Sequence, residues 1–178
     1  LKMRLASKPM LLQTKLAYEY VQQRFRPLER LRNIEFLRDW SLPYDAATVD
    51  EQLGSASLRV ADNKGNYLGY EFSTYLRSDK YKGFRQTISN YIMVKGWKLT
   101  DQLSYTAVNS NVLQGSFIRP GIDVSKELTR FHKMQVGFNF NAERNSLKYK
   151  PADTLTPVSF AFNTWQVYLR SDPSKLNH

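Results

Sequence analysis

The sequence contains no cysteine. That absence excludes disulfide bonds, thiolate metal ligands and cysteine nucleophiles. It leaves the cellular compartment open, because a chain without disulfides suits the cytosol, the periplasm and an outer membrane equally well.

Histidine is almost as scarce, with His132 and His178 as the two examples in 178 residues. A Ser-His-Asp triad would have to use His132, which has no supporting sequence context. A zinc site built from His and Cys is excluded, and no glycine-rich phosphate loop or dinucleotide fingerprint is present. We therefore expect a protein that is not an enzyme and that uses no cofactor or metal.

Long apolar runs are also missing. No stretch approaches the roughly 18 uninterrupted apolar residues of a membrane-spanning helix. A helical span is thereby excluded, whereas a transmembrane β-strand is not, because its apolar residues alternate with polar ones.

Acidic residues are outnumbered, 16 against 26 Lys and Arg, which gives a formal net charge of +10. Such an excess predicts an acidic partner surface, for example phosphate-bearing lipid head groups, lipopolysaccharide or nucleic acid. The alternative is an ordinary solvated surface, or a local excess that acidic parts of a longer parent chain balance.

The main positive signal is a period-two alternation of apolar and polar side chains, which is typical of β-strands. Apolar residues take even positions in residues 67–78, 84–94 and 132–142, and they move to odd positions from Trp97 onward. We predict an all-β fold, an antiparallel meander of long hairpins that forms a barrel or a curled open sheet with one apolar face.

Two glycine-containing loops set the expected register. Lys95-Gly96 and Asn63-Lys64-Gly65 read as hairpin loops in which Gly supplies a positive φ. Both loops bring apolar side chains together on one face, in agreement with the alternation. The predicted pairs are Val94 with Trp97, Ile92 with Leu99, Val60 with Leu68 and Leu58 with Tyr70.

A third loop, Asn109-Ser110-Asn111, predicts a hairpin in which Leu103 lies opposite Phe117 and Tyr105 opposite Gly115. Beyond it the pattern weakens. Arg119-Pro120-Gly121 is predicted as a sharp turn, residues 122–130 as a linker or a short helical turn capped by Ser125, residues 143–155 as a polar loop, and Asn163-Thr164 as a bulge.

The N-terminal third is interpreted as further strands. Apolar residues alternate in residues 1–5, 16–20 and 34–40. The alternative is an amphipathic helix over residues 11–38, which Pro27 would interrupt. We expect one β-sheet domain over residues 1–178, a segment of a longer chain, in which residues 1–45 give the weakest strand signal.

The predicted strands are long, about 10 to 14 residues against about 5 or 6 in most soluble sheets. A tilted outer-membrane barrel needs strands of about 9 to 11 residues. The Lys95-Gly96 register also places Asn90 opposite Asp101 on the apolar face, where a carboxylate in hydrocarbon is costly. We interpret the two residues as a hydrogen-bonded polar pair under protein cover, or as a sign that this face lines a groove.

Three stretches have a texture of aromatic residues, Lys-Gly turns and Asn-rich turns. They are Arg32-Asn33-Ile34-Glu35-Phe36-Leu37-Arg38-Asp39-Trp40, Tyr81-Lys82-Gly83-Phe84-Arg85-Gln86 and Ser116-Phe117-Ile118-Arg119-Pro120-Gly121-Ile122-Asp123. This texture resembles internal parts of large outer-membrane β-barrel proteins of Bacteroidota. The resemblance implies the outer membrane or periplasm of a Gram-negative bacterium and a role in transport, assembly or surface display, and it transfers no functional residues.

Two basic clusters could contact lipid head groups or another polyanion. The alternative is ion pairing with neighbouring acidic residues, or simple solvation. The first cluster is Arg24, Arg26, Arg30, Arg32 and Arg38, and the second is Lys80, Lys82 and Arg85.

Three functions remain open on sequence grounds. The first is a structural, transport or assembly segment of an outer-membrane β-barrel, whose partners are membrane lipid or other β-strands of the parent or of a partner protein. The second is a soluble or periplasmic curled sheet that binds a lipid or another hydrophobic ligand. The third, a basic module that binds a polyanion, is the least favoured, and nucleic acid is not an expected partner.

Overall fold

The computed structural model describes residues 2–5, 8–25, 32–42, 47–128, 134–150 and 158–171, with side chains described from residue 10 onward. Several residues of the sequence-based predictions lie outside this part of the chain, namely Arg26, Pro27, Arg30, His132, His178 and residues 129–130 and 151–155.

The described part of the chain folds as one antiparallel β-sheet with a short helix. The elements in chain order are β1 (Lys2–Leu5), β2 (Lys8–Val21), α1 (Ile34–Asp39), β3 (Glu51–Asp62), β4 (Tyr67–Arg77), β5 (Lys82–Val94), β6 (Trp97–Asn109), β7 (Leu113–Leu128), β8 (Met134–Tyr149) and β9 (Val158–Arg170).

Every strand pairs with its neighbour in sequence, in the order β1 to β9. The predicted all-β antiparallel meander is therefore confirmed. Since β1 and β9 do not pair with each other in the described residues, the sheet is open. The same residues contain no helix with the length and apolar character that a membrane crossing requires.

The two glycine-containing hairpins have the predicted register. Gly65 and Gly96 both adopt positive φ, 85° and 77°. Ile92 lies opposite Leu99, and Leu58 lies opposite Tyr70. The glycines allow tight loops that feed each strand back in phase with its neighbour.

Continuous registers from β2 to β9 divide the side chains between two faces. The apolar face carries the even-numbered residues of β2, β3, β4, β5, β7 and β8 and the odd-numbered residues of β6 and β9. The polar face carries the others. This assignment follows because adjacent residues in a strand point to opposite sides of the sheet.

The register predicted for the third hairpin is wrong. Each residue of β6 pairs with a residue of β7 that lies three positions later than predicted. Ser110 and Leu113 close the loop, since the Ser110 amide donates to the Leu113 carbonyl at 2.7 Å. The Ser110 hydroxyl also accepts from the Leu113 amide at 3.0 Å, which fixes the turn without a glycine. Phe117 therefore lies opposite Thr106, on the polar face, and not opposite Leu103.

Strand β7 continues through the predicted sharp turn at Pro120 and through the predicted linker that follows it, as far as Leu128. Pro120 pairs with Leu103 of β6, while the ladder to β8 skips Arg119 and Pro120. A proline has no amide hydrogen to donate, and the skipped ladder positions accommodate it.

Two further predictions for the C-terminal part are wrong. The predicted polar loop begins inside β8, which runs to Tyr149, and its residues 151–155 lie outside the described part. The predicted bulge at Asn163-Thr164 is absent, because β8 and β9 stay in one register from Leu147 opposite Val158 to Gln135 opposite Arg170. The apolar residues of β9 change phase because they occupy both faces of the strand.

At the N-terminal end, the strand prediction is confirmed for residues 16–20, which lie in β2, and the helical alternative is wrong there. The strand prediction for residues 34–40 is wrong, because Ile34–Asp39 form α1. The Asn33 side chain caps this helix by accepting from the Phe36 amide at 2.8 Å. Such an N-cap satisfies a helical amide that has no carbonyl partner.

The corrected β6–β7 register can be tested by cross-linking. The double variant Tyr105→Cys/Ile118→Cys should form an intramolecular disulfide, because these two residues are directly opposite and such pairs have Cα separations of about 4.5 to 5.5 Å. Tyr105→Cys/Gly115→Cys should not, since the two side chains lie on opposite faces. Mass spectrometry after mild oxidation measures both, in a chain without native cysteine. Cross-linking in the second variant alone would restore the discarded register.

Candidate functional site

The hydrophobic core lies on the polar face, beneath one short stretch of chain. This stretch, residues 32–42, contains α1 and is called here the helical segment. Trp40 of this segment and several residues of the sheet form a buried cluster, and partly buried apolar residues surround that cluster. The buried members are Trp40, Tyr75, Tyr81, Val108 and Phe117.

Trp40 anchors the helical segment to the sheet. Its ring lies 5.4 Å from that of Tyr75, and its side chain is almost fully buried. Gly83 leaves the space for the indole, since a Cβ atom at this position would lie 2.8 Å from the ring. The Tyr81 hydroxyl donates a hydrogen bond to the Trp40 carbonyl. Burial raises the pKa of both tyrosines above the usual value, so both remain neutral donors at physiological pH.

Asp39 connects the helical segment to two strands by charge. Its carboxylate accepts from Arg85 on β5 at 2.7 Å and from Arg119 on β7 at 3.4 Å. Arg119 also donates to Glu143 on β8 at 2.6 Å. The four side chains are mostly withdrawn from solvent, so their pairing is stronger than that of exposed surface pairs.

Arg32 makes a similar connection at the start of the segment. Its guanidinium lies 3.1 Å from the Glu51 carboxylate on β3 and 2.9 Å from the Glu19 carboxylate on β2. Burial alone would lower the pKa of Arg32, but the hydrogen bonds and charges of the two glutamates outweigh it and raise the pKa above its usual value. Arg32 is therefore a permanent cation in this network.

These contacts indicate that the sheet curls around the helical segment. In a flat sheet, β2 and β7 would lie about 24 Å apart. Side chains from both strands nevertheless reach the segment, whose helix is about 9 Å long. The polar face is therefore concave and the apolar face convex.

Several polar atoms beneath the helical segment are buried without a hydrogen-bond partner in the described residues. They are Tyr75 Oη, Arg77 Nε, Arg85 Nε and Thr106 Oγ1. Buried polar groups of this kind are usually satisfied by ordered water. The interface between segment and sheet is thus part aromatic core and part polar layer.

A cleft of about 760 Å³ opens beside the helical segment. One wall is apolar and includes Phe117, Leu147 and Phe160, while the other includes Arg119 and Glu143. The cleft continues the concave surface toward β9, so the helical segment covers part of the polar face and leaves the rest open.

The apolar face has the opposite character, because no described residue packs over it. Most of the exposed large apolar side chains of the protein lie there. Examples from six different strands are Leu16, Leu68, Ile88, Leu103, Ile122 and Trp165. A contiguous apolar surface of this kind is rare on monomeric proteins in water and marks contact with lipid or protein.

Asn90 and Asp101 lie opposite each other on the apolar face, and the predicted register is confirmed. The predicted hydrogen bond between them is absent in this described region, and Asn90 Oδ1 is buried without a partner. The carboxylate of Asp101 thus lies among apolar side chains with neither a hydrogen bond nor an ion pair from the described residues.

The structure separates those members of the two predicted basic clusters that lie in the described part of the chain. Arg24 is exposed after β2, and Arg38 is an exposed residue of α1. Lys80 lies in the β4–β5 turn, and Lys82 lies at the start of β5 on the apolar face. Arg32 belongs to the helical segment and pairs with Glu51 of the sheet, and Arg85 faces the segment and pairs with Asp39. Their suggested contact with lipid head groups or a polyanion stays a prediction.

Sequence reasoning missed the residues that build the polar-face site. Trp40 was assigned to a strand, and Arg119 and Glu143 were assigned to a turn and a loop. A usable signal existed in Leu37 and Trp40, which are three residues apart and follow the capping residue Asn33. No local signal joins Asp39 to Arg119, which is 80 positions further along the chain.

Searches of family models, of curated proteins and of solved structures found no match to this chain. The described residues contain no group of three or more His, Cys, Asp or Glu side chains that could hold a metal ion. The functional argument therefore depends on the geometry of the two faces.

The role of Asp39 can be measured by a conservative substitution. Asp39→Asn should lower the free energy of unfolding by about 1–3 kcal/mol, because it leaves Arg85 without a carboxylate and Arg119 with Glu143 alone. Glu35→Gln removes an exposed carboxylate from the same helix and should change it by no more than about 0.5 kcal/mol. Denaturant unfolding under identical conditions measures both. Equal effects would show that the Asp39 pairs do not hold the segment.

Proposed function

We propose that this chain forms part of the wall of an outer-membrane β-barrel in a Gram-negative cell envelope, with a non-enzymatic role in structure, transport or envelope assembly. The apolar face meets lipid, or strands of a partner protein, and the polar face lines the lumen. The observation that carries the proposal is the position of the core: buried residues lie on the concave polar face, and the convex apolar face is uncovered.

Strand dimensions support this orientation. On β6 the apolar face runs from Trp97 to Tyr105, a distance of about 27 Å along the strand, and Asp101 is its one charged residue. With the usual barrel tilt of about 35 to 45°, that length spans about 20 Å along the membrane normal. A transmembrane barrel carries an apolar band of about 25 Å, so the observed band is close to the required height.

The same geometry disfavours the two alternatives. A soluble sheet that binds acyl chains needs an apolar concave face, whereas this concave face carries ion pairs around Asp39 and Arg32. A polyanion-binding module needs clustered free cations, whereas Arg32 and Arg85, one from each predicted basic cluster, already pair with carboxylates.

In the proposed barrel the helical segment lies in the lumen. It contacts strands from β2 to β7, so it narrows the passage that these strands would enclose. A transport role would require the segment to move or the remaining cleft to serve as the path.

Two neighbouring residues on β6 provide a matched test. Leu103 is exposed on the apolar face, and Gln102 is exposed on the polar face. In an Asp101→Asn background, which removes the carboxylate two residues away on the same face, Leu103→Arg should weaken folding into phospholipid vesicles by about 2–4 kcal/mol, the cost of an arginine facing the middle of a bilayer. Gln102→Arg should have little effect, because its side chain would face a wet lumen.

The measurement is the folding equilibrium in vesicles, combined with the state of the wild-type protein in buffer. The proposal expects the wild type to need detergent or lipid to remain dispersed. A stable monomer in plain buffer, with equal effects of the two arginine substitutions, would overturn it and would favour a soluble ligand-binding sheet.

A further inference from the structure

A hollow of about 710 Å³ lies on the apolar face, at the end of the sheet where β5 and β7 begin and β6 and β8 end. Its floor consists of small side chains in one lateral row, because Ala107 lies opposite Ser116 and Ser116 lies opposite Ser146. Lys82 and Lys148 border it on its two sides. The space stays open because none of the floor side chains is large enough to fill it. It is called here the convex-face hollow.

A row of polar side chains crosses the outer rim of the convex-face hollow. Lys82 of β5 lies opposite Asn109 of β6. Asn109 lies opposite Gln114 of β7, which in turn lies opposite Lys148 of β8. Lys150 adds another ammonium group, since its Nζ atom donates to Asn109 Oδ1 at 2.7 Å. Cations and amides therefore lie side by side at one level of the sheet.

The positive charge of this row has no acidic counterpart within the described residues. Lys82 and Lys148 are exposed and form neither a hydrogen bond nor an ion pair there. Lys150 donates to neutral oxygens, those of the Asn109 side chain and the Ser110 carbonyl. The described residues that line the hollow include neither Asp nor Glu. The hollow therefore favours an anionic ligand.

An aromatic pair forms the inner border of the convex-face hollow. Phe84 and Tyr105 line it on the side toward the middle of the strands, and their ring centroids are 5.8 Å apart. The large apolar side chains of β6 on this face end at Tyr105, so the hollow begins where the apolar surface ends. In the proposed barrel this is the level of the lipid head groups, where aromatic rings are common.

Arg144 lies at the same border. It is exposed on the apolar face of β8, in the lateral row that contains Tyr105 and Ile118. It forms no ion pair with the described residues, and a bare guanidinium in hydrocarbon would be costly. Its long side chain lets the charge reach the head-group level while the apolar stem lies along its neighbours.

The connections between strands indicate which side of the membrane this is. The hollow lies at the end of the sheet where residues 22–50 join β2 to β3 and residues 150–157 join β8 to β9. The connections at the other end are shorter, and residues 129–133 form the longest of them. Transmembrane barrels have short periplasmic turns and longer extracellular loops. In the proposed barrel the hollow therefore lies in the outer leaflet.

We propose that the convex-face hollow binds a phosphorylated glycolipid of the outer leaflet, with Lys82, Lys148 and Lys150 at its phosphates. Ammonium groups form charge-assisted hydrogen bonds with phosphate oxygens. The amides of Asn109 and Gln114 and the serines of the floor match the hydroxyl groups of a sugar, and the acyl chains continue along the apolar face. This inference rests on the proposed function, because it needs the convex face to meet lipid.

Removal of two lysines tests the electrostatic part of the site. The full chain in dodecyl maltoside micelles should bind diphosphoryl lipid A. Lys82→Gln/Lys148→Gln should raise the dissociation constant about thirtyfold, because each basic residue near an anionic head group contributes a factor of about five. Native mass spectrometry of lipid titrations measures the constants. An unchanged constant in this variant would overturn the site.

The matched control removes the same charge elsewhere. Lys15→Gln/Lys64→Gln replaces two exposed lysines, one on β2 and one in the β3–β4 turn. It should change the dissociation constant by no more than about twofold, because salt screens charges that are far from the ligand. An effect as large as that of the rim variant would show attraction to net charge alone and would contradict a defined site.

The choice of ligand is tested with two further lipids. Lipid A without its phosphates and phosphatidylglycerol, which has a phosphate but no sugar, should both bind more weakly than diphosphoryl lipid A. Equal binding of phosphatidylglycerol would overturn the assignment of a glycolipid. Equal binding of the dephosphorylated lipid would overturn the role of the lysines.

Filling the hollow tests its shape while keeping every charge. Ser116→Phe places a ring over the floor and should weaken lipid A binding on the order of tenfold, because the ring occupies the space of the head group. Thr14→Phe adds a ring to the same face of β2, outside the hollow, and should leave binding unchanged. Equal binding by the two variants would overturn a shaped site.

Failure of this inference can be distinguished from failure of the proposed function. A protein that inserts into vesicles but binds lipid A no better than phosphatidylglycerol overturns the glycolipid site alone. A protein that stays dispersed as a monomer in buffer without lipid overturns the membrane role.

Discussion

The unbroken antiparallel register from β2 to β9 determines the face on which every side chain lies. A shift of one residue anywhere in that series would turn the following strands over, and Phe117 or Arg119 would then point away from the helical segment. The third hairpin shows how much depends on it. Its closure at Ser110 and Leu113 shifts the pairing of β6 with β7 by three residues from the predicted register, which places Phe117 in the core and Arg119 beside Asp39.

In most soluble sheets other parts of the protein cover the apolar face, whereas here they cover the polar face. Here the concave side combines an aromatic cluster around Trp40 with buried charge, and the convex side is left apolar. Burial of Arg32 and Arg119 is tolerable because carboxylates from several strands pair with them. The ion pairs thus specify where the helical segment lies more than they add to stability.

Much of the sheet was predictable because its signals are local. Gly65 and Gly96 encode tight loops, and alternation over about ten residues gives each flanking strand its face. The failures occurred where the determining contact is distant or where no glycine marks the turn. At the third hairpin, hydrogen bonds of Ser110 to Leu113 close a turn that contains no glycine. Pro120 and Glu143 lie in strands, where pairing with neighbouring strands holds them. The site required both the correct β6–β7 register and the position of α1, and neither follows from short-range pattern alone.

The pairing of strands that are adjacent in sequence also has a consequence for the rate of folding. From β3 onward each strand pairs with the next one along the chain across a short connection, so hairpin formation costs little chain entropy, whereas residues 22–50 separate β2 from β3. The helical segment is different, because Asp39 and Arg119 are 80 residues apart. We expect the hairpins to assemble progressively and the helical segment to dock once β7 is in place, which makes that docking the slow, non-local event of folding.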